Sequence, residues 1–128
     1  MRTWMIAGVC AGTMAMLLGC GTKAADCDSF AKVANANVGE LKKSDAKDAK
    51  ALAASVKKVA DSARSVAVKD EGLAPLVKEY SAAWDTGATA AGNLESTDEA
   101  VQKKALADIE ALEKNESTIV DKINAYCK

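Results

Sequence analysis

Apolar residues recur at intervals of three and four positions along most of the chain, which is the spacing of one face of an α-helix. The clearest series comprises Ala49, Leu52, Val56, Val59, Ala63 and Val66. Ser44 or Asp45 provides an N-cap before this series, and the stretch from Lys69 to Gly72 provides a stop after it. The pattern predicts an amphipathic helix between about residues 44 and 69.

The same spacing predicts three further helices. The first begins near Asp26 and ends at about Lys43. The third has Pro75 in its first turn, where the missing backbone N–H does little harm. Gly87 and Gly92 each cost a helix about 1 kcal/mol relative to alanine, so we expect the third helix to thin or kink there. The fourth helix is long and takes its cap from residues 96–99.

Four helices joined by short connections predict an all-α domain over residues 26–128, with the up-down-up-down topology of a four-helix bundle. In this topology the start of the first helix and the end of the fourth lie at the same end. Cys27 and Cys127 are then neighbours, whereas three helices would place them at opposite ends. Many core-facing positions are alanine, so the core is thin and a covalent link would be useful.

The first 20 residues have the layout of a secretory signal, with Arg2 in the head and no charged residue from Trp4 to Leu18. The uncharged run is shorter than the roughly 20 residues that a membrane span needs. It also contains Gly8 and Gly12, which makes a permanent transmembrane helix the weaker alternative.

The signal ends in Leu17-Leu18-Gly19-Cys20, which resembles the lipobox of bacterial lipoproteins, although Leu18 is not the commonest residue at its position. The resemblance implies a diacylglyceryl group on the sulfur of Cys20, cleavage after Gly19 and acylation of the new amino group. It divides the chain into a signal peptide (1–19), a lipidated tether (20–25) and the helical domain (26–128). Two or three acyl chains give stable membrane anchoring.

The resemblance also implies a location in the cell. Gly21 follows the modified cysteine where an aspartate would favour retention in the inner membrane, so we expect the outer membrane, facing the periplasm or the cell surface. The alternative is an ordinary secretory signal, cleaved near Gly19 or Ala24, that leaves Cys20 as a free or paired thiol.

Cleavage of the signal peptide would remove Cys10, and lipidation would modify Cys20. Cys27 and Cys127 are then the two cysteines with free thiols in the exported protein. Two cysteines in an oxidising compartment are typically paired. A reactive thiol, a redox site and a metal site are the alternatives, but the sequence has no CxxC and no histidine. We therefore predict a disulfide between Cys27 and Cys127.

Composition and motifs argue against catalysis and cofactors. All four methionines precede Cys20 and histidine is absent, so the mature chain lacks axial ligands for haem. The net charge of the whole chain is −1, which gives no indication of nucleic-acid binding. Asp85-Thr86-Gly87 matches the motif of aspartic proteases, but it occurs within a helical pattern and is interpreted as a chance match. We expect no enzyme activity, no metal and no cofactor.

Three functions remain as hypotheses. The first is a non-enzymatic binding or scaffolding module of the cell envelope, held by its lipid anchor, with another envelope protein as a partner. The second is a carrier or sensor of a small apolar ligand, held in a cavity beside Tyr80, Trp84 and the region softened by Gly87 and Gly92, although two aromatic residues one turn apart more often belong to a core. The third follows from a resemblance to the murein lipoprotein of enteric bacteria, whose C-terminal lysine is linked to peptidoglycan, as Lys128 would be. A bundle closed by the disulfide opposes this third hypothesis, because it returns Lys128 to the lipid end.

Overall fold

The computed structural model describes residues 22–43 and 48–128, and these ranges form four α-helices without any strand. The all-α fold with four helices is therefore confirmed. The signal peptide, Cys20 and the predicted caps Ser44 and Asp45 lie outside the described residues. The helices, in chain order, are α1 (Thr22–Lys43), α2 (Ala49–Ser65), α3 (Leu73–Gly92) and α4 (Glu99–Tyr126).

The starts of α1 and α2 differ from the predicted ones. α1 begins at Thr22, four residues before Asp26, so residues 22–25 of the predicted tether are helical. Ala24 and Ala25 favour this extension because alanine has the highest helix propensity. The N-cap of α2 is Asp48, whose carboxylate accepts a hydrogen bond of 2.7 Å from the Ala51 amide.

The end of α2 also differs from the prediction, because the helix stops at Ser65 rather than near residue 69. Val66 adopts an extended conformation there. The backbone amides of Lys69 and Asp70 instead donate hydrogen bonds of 2.7 and 2.8 Å to the carboxylate of Asp26 in α1. Two partly buried tertiary hydrogen bonds thus replace the last turn that the apolar spacing predicted.

The predictions for α3 and α4 are closer to the structure. Pro75 is the third residue of α3, in its first turn as predicted, and the helix continues through Gly87 to Gly92. Asp98 is the N-cap of α4, and its side chain accepts a hydrogen bond of 2.9 Å from the Ala100 amide. Within the described ranges, no helix has the length and apolar character needed to span a bilayer.

The core draws side chains from all four helices, but the helices are not packed evenly. Phe30, Leu73, Tyr80 and Ile123 have no exposed surface. α3 packs extensively against α2 and α4, and α1 packs against α2 and more weakly against α3. The described helices α1 and α4 have no pair of Cα atoms within 8 Å of each other. The first and the last helix are therefore connected through side chains of the shared core and through Cys127, rather than by close approach of their backbones.

Three ion pairs connect consecutive helices at their surfaces: Lys58 with Glu40, Arg64 with Asp85, and Lys122 with Glu79. The amide of Ala49, at the start of α2, donates a hydrogen bond of 3.0 Å to Glu95, just beyond the end of α3. These contacts are of the kind that antiparallel neighbours make. The up-down-up-down order itself stays a prediction.

Cys27 of α1 and Cys127, which caps α4, form the predicted disulfide, with their Cα atoms 6.0 Å apart. Tyr126, the residue before Cys127, donates a hydrogen bond of 2.6 Å from its hydroxyl to the carboxylate of Asp70. That carboxylate also accepts a bond of 2.8 Å from the Leu73 amide at the start of α3. The start of α1, the α2–α3 connection and the end of α4 are thereby fixed together.

Candidate ligand-binding cavity

A cavity of about 470 Å³ lies within the helical domain, with walls contributed by all four helices. This volume falls in the range of pockets that bind small molecules. Most of its lining is apolar and includes Leu41 of α1, Leu52 and Val56 of α2, Trp84 of α3, and Ile109 and Leu112 of α4.

Gly87 allows two walls of the cavity to approach each other closely. A Cβ atom at this position would overlap with the side chain of Leu112 on α4 and would lie 3.5 Å from Val56 on α2. Both neighbours line the cavity. The glycine that the sequence marks as unfavourable in a helix is therefore explained by packing, because only hydrogen leaves room for Leu112 in its observed place.

The polar part of the lining lies on α4 and is acidic, with Glu113, Glu116 and Ser117. Burial raises the pKa of the Glu116 carboxyl above its usual value. Lys42 of α1 opposes this rise in the pKa, and Asp121 adds to it. A half-buried carboxyl beside leucine and tryptophan gives the cavity one polar, negatively charged region.

The two aromatic residues proposed from the sequence occupy different environments. Trp84 lines the cavity and is 3% exposed. Tyr80, one turn earlier, is completely buried and packs edge-on against Phe30, with ring centroids 5.3 Å apart. Its ring centroid lies 6.1 Å from that of Trp84. Trp84 therefore connects the cavity with the core, whereas Tyr80 belongs to the core side of the pair.

Burial also raises the pKa of the Tyr80 hydroxyl, and the nearby Glu116 adds to this rise. The indole N–H of Trp84 opposes it by interacting with the hydroxyl. This N–H makes no hydrogen bond of standard geometry among the described residues. The Trp84 indole and the Glu116 carboxyl thus belong to the cavity lining, while the Tyr80 hydroxyl lies in the core behind them.

The Asp85-Thr86-Gly87 motif is part of helix α3. The carboxylate of Asp85 forms an ion pair with Arg64 of α2, and Gly87 faces Leu112. Within this motif, the ion pair accounts for Asp85, and the close contact with Leu112 accounts for Gly87. Over residues 22–43 and 48–128, no three histidine, cysteine or acidic side chains come together in a way that could hold a metal ion.

The remaining predicted site residues are at the disulfide. Cys27 and Cys127 are bonded to each other and buried. Lys128 is exposed and directly follows this bond, so it lies at the same end of the domain as the start of α1. Cys20 lies outside the described residues.

The sequence-based hypothesis of a ligand cavity named Tyr80, Trp84 and the glycines that follow them. Trp84 and Gly87 line the cavity described here, whereas Tyr80 is not among its described lining residues.

The part played by the other helices was not predicted, although one signal was present. Glu116 interrupts the otherwise apolar series of α4, four positions after Leu112 and four before Val120, and all three residues line the cavity. A carboxylate on a core-facing series indicates a place where the core is incomplete. No comparable feature of the sequence indicates how far apart α1 and α4 lie.

Comparisons of this chain with protein-family models, with curated proteins and with solved structures find no match. Because fold alone does not determine function, the chemistry of the cavity has to indicate what the protein binds.

Proposed function

We propose that the chain is a lipid-anchored protein of the cell envelope whose helical domain binds a small, mainly apolar ligand. The single observation that carries the binding function is the cavity of about 470 Å³, enclosed by four helices and lined chiefly by leucine, valine, isoleucine and tryptophan. Enclosure on several sides favours a small molecule over a flat protein surface as the ligand.

The expected affinity is moderate. Ten methylene groups of a ligand, fully buried, would contribute about 8 kcal/mol. Association opposes this with at least about 4 kcal/mol of lost freedom of motion. The difference corresponds to a dissociation constant of about 1 mM, and each further tenfold gain needs about 1.4 kcal/mol from additional contacts.

The proposed anchor would hold the cavity away from the membrane. Cys20 precedes Thr22, the first residue of α1, by two positions. Leu41, at the other end of α1, lies about 29 Å further along the helix at 1.5 Å per residue. The cavity would therefore open to the aqueous compartment, and a ligand would not have to enter through the bilayer.

A binding role is favoured over catalysis by the residues that line the cavity. Ser117 is the only hydroxyl among them, and the sequence contains no histidine that could activate it. Glu113 and Glu116 lie on one helix, three positions apart, with Lys42 as the nearby cation that acts on Glu116. These groups can orient a ligand.

The test uses the full chain in phosphatidylcholine nanodiscs, with Trp4→Phe and 5-fluorotryptophan so that Trp84 gives a single fluorine NMR signal. We expect 1-decanol to shift this signal in a saturable manner. The double variant Leu52→Phe/Ile109→Phe fills the cavity and should abolish the shift. Leu106→Phe is the matched control, because Leu106 is 54% exposed and does not line the cavity.

A decanol shift that is absent in the parent chain, or unchanged in the filled variant, would refute the binding function. The anchor is tested separately by intact-mass analysis of the membrane fraction. A mass that begins at Cys20 and includes acyl groups is expected, whereas an unmodified Cys20 would refute the anchor and leave the cavity unaffected.

A further inference from the structure

We infer that the cavity selects amphiphiles with a cationic amine head, which pairs with the Glu116 carboxylate while the apolar body contacts Leu41, Leu52 and Trp84. This inference rests on the proposed binding function and adds the chemical class of the ligand. It is carried by the position of one acidic side chain in a lining that is otherwise mainly apolar.

Glu116 is placed to contact a ligand within the cavity. It lies one helical turn after Leu112 and one turn before Val120, and both of these apolar residues also line the cavity. Its carboxyl is partly removed from water, as the burial-driven rise of its pKa shows. A ligand cation would therefore meet a carboxylate with reduced hydration, where charge pairing is stronger than at the open surface.

The charges around Glu116 favour a cation over an anion. On α4, Glu113 lines the cavity and Asp121 acts on Glu116 from one turn further along. On α1, Lys42 is the opposing cation, but it does not line the cavity. The lining residues of α2 and α3 carry no charge. Among the described residues, the cavity wall therefore contains carboxylates and no basic side chain, which is complementary to an ammonium group.

An anionic or neutral head would fit less well. A carboxylate head would face Glu113 and Glu116, and like charges at short distance repel each other. A hydroxyl head could accept or donate a hydrogen bond, but it would leave the negative charge of Glu116 uncompensated next to an apolar ligand. Trp84 adds a further preference, because the face of an indole ring attracts cations.

The test compares three ligands with the same ten-carbon chain, decylammonium, 1-decanol and decanoate, on the full chain in phosphatidylcholine nanodiscs. The fluorine signal of Trp84 reports binding, and affinities are referred to the free aqueous concentration of each ligand. At pH 7 we expect decylammonium to bind at least about tenfold more tightly than decanol, with decanoate binding most weakly.

Glu116→Gln should bring the affinities for decylammonium and decanol together, because decylammonium loses its charged partner and decanol no longer leaves a carboxylate uncompensated. Glu110→Gln is the matched control, since Glu110 is exposed on the same helix and does not line the cavity. Lys42→Gln removes the opposing cation and should increase the preference for decylammonium. This second variant tests the charge argument without altering the cavity lining.

The outcomes separate this inference from the proposed function. Binding of decanol without any preference for decylammonium would overturn the inference and leave the apolar cavity as the binding site. A preference that persists in Glu116→Gln would also overturn it. Binding of none of the three ligands would refute the proposed function itself.

Discussion

The two halves of the helical domain are built in different ways. The disulfide end, defined here by Asp26, Cys27, Asp70, Tyr126 and Cys127, joins three segments of the chain through one covalent bond and several hydrogen bonds. The cavity half, defined by the lining residues Leu41 to Val120 given above, contains the space between α1 and α4. The covalent and polar contacts and the cavity thus lie in different parts of the domain.

The disulfide end contains several directional contacts between different segments of the chain. The Asp26 carboxylate accepts two backbone hydrogen bonds, and Asp70 accepts from the Tyr126 hydroxyl and the Leu73 amide. The ammonium group of Lys23 lies 4.4 Å from the centroid of the Tyr126 ring. Directional bonds of this kind specify one arrangement of α1, α3 and α4 at this end.

In the cavity half, large apolar side chains remain partly exposed. Leu41, Leu52 and Leu112 contact the core without being enclosed by it. Each of them has apolar surface that a ligand could cover, at about 25 cal/mol for each Å² removed from water. The comparison teaches that the covalent bond and the directional hydrogen bonds are concentrated at one end, whereas incompletely covered apolar surface is concentrated at the other.

The largest effect on this comparison is expected from removing the disulfide. Cys27 and Cys127 are 100 positions apart, and closing a loop of that length contributes about 4.7 kcal/mol in the chain-entropy model. We expect Cys27→Ala/Cys127→Ala to lower the free energy of unfolding by about 3–5 kcal/mol, measured by urea denaturation.

Reductant provides the control for this experiment. Dithiothreitol should destabilise the parent chain and have no effect on the double variant. An unchanged urea midpoint in the double variant would show that the hydrogen bonds of Asp26 and Asp70 are sufficient to hold the disulfide end together.

The next largest effect concerns the cavity half. Gly87→Ala places a Cβ atom against the end of the Leu112 side chain, and the overpacking cost of about 1–3 kcal/mol is reduced by the gain of about 1 kcal/mol in helix propensity, which leaves a net loss of at most about 2 kcal/mol. Gly92→Ala is the matched control on the same helix, because its Cβ would lie 3.8 Å from that of Ala53, an ordinary contact. We expect thermal unfolding to show a lower Tm for Gly87→Ala and an unchanged or higher Tm for Gly92→Ala. Equal effects at both positions would contradict the close approach of α3 and α4.

A smaller effect is expected from Tyr126→Phe, which removes the hydroxyl that binds Asp70. This hydrogen bond is the main cause that lowers the pKa of Asp70 below its usual value of 3.8. A lowered pKa stabilises the fold above the usual value, and this stabilisation is lost as the pH falls through the folded-state pKa. Tyr126→Phe should therefore be less stable than the parent at pH 7, and the difference should shrink below about pH 3.8. A difference that stays constant down to pH 2 would show that the ionised form of Asp70 is not involved.

The sequence predicted most of the fold because helices leave a periodic signal. The apolar spacing gave α2 and α4, Pro75 marked the first turn of α3, and the parity of the cysteines gave the disulfide, which the structure confirms. Helix ends were less accurate, because Asp26 binds the amides of Lys69 and Asp70 across 43 and 44 positions. No local pattern contains that partner.

The extent of the cavity could not be predicted for a related reason, although the sequence suggested a ligand site beside Trp84 and the glycines that follow it. Its walls come from all four helices, and their relative placement depends on tertiary packing. Gly87 and Glu116 were both visible as irregularities of a helical pattern. Only the structure shows that the two irregularities line the same space.

The smallest effect is expected from Glu116→Gln, and its sign distinguishes a binding residue from a structural one. Because burial raises the pKa of Glu116, the fold favours the protonated carboxyl. Stability from this group is fully present below its usual pKa of 4.5 and is lost as the pH rises through the higher pKa of the folded state.

Glutamine resembles the protonated form and has no charge to desolvate. Glu116→Gln should therefore be more stable than the parent in urea denaturation at pH 7, and equally stable below about pH 4.5. Glu110→Gln, at an exposed position, should show neither effect. A destabilised Glu116→Gln at pH 7 would mean that the carboxylate supports the fold. A stabilised Glu116→Gln would mean that the charge of Glu116 destabilises the parent fold. This is expected of a residue that serves ligand binding rather than stability.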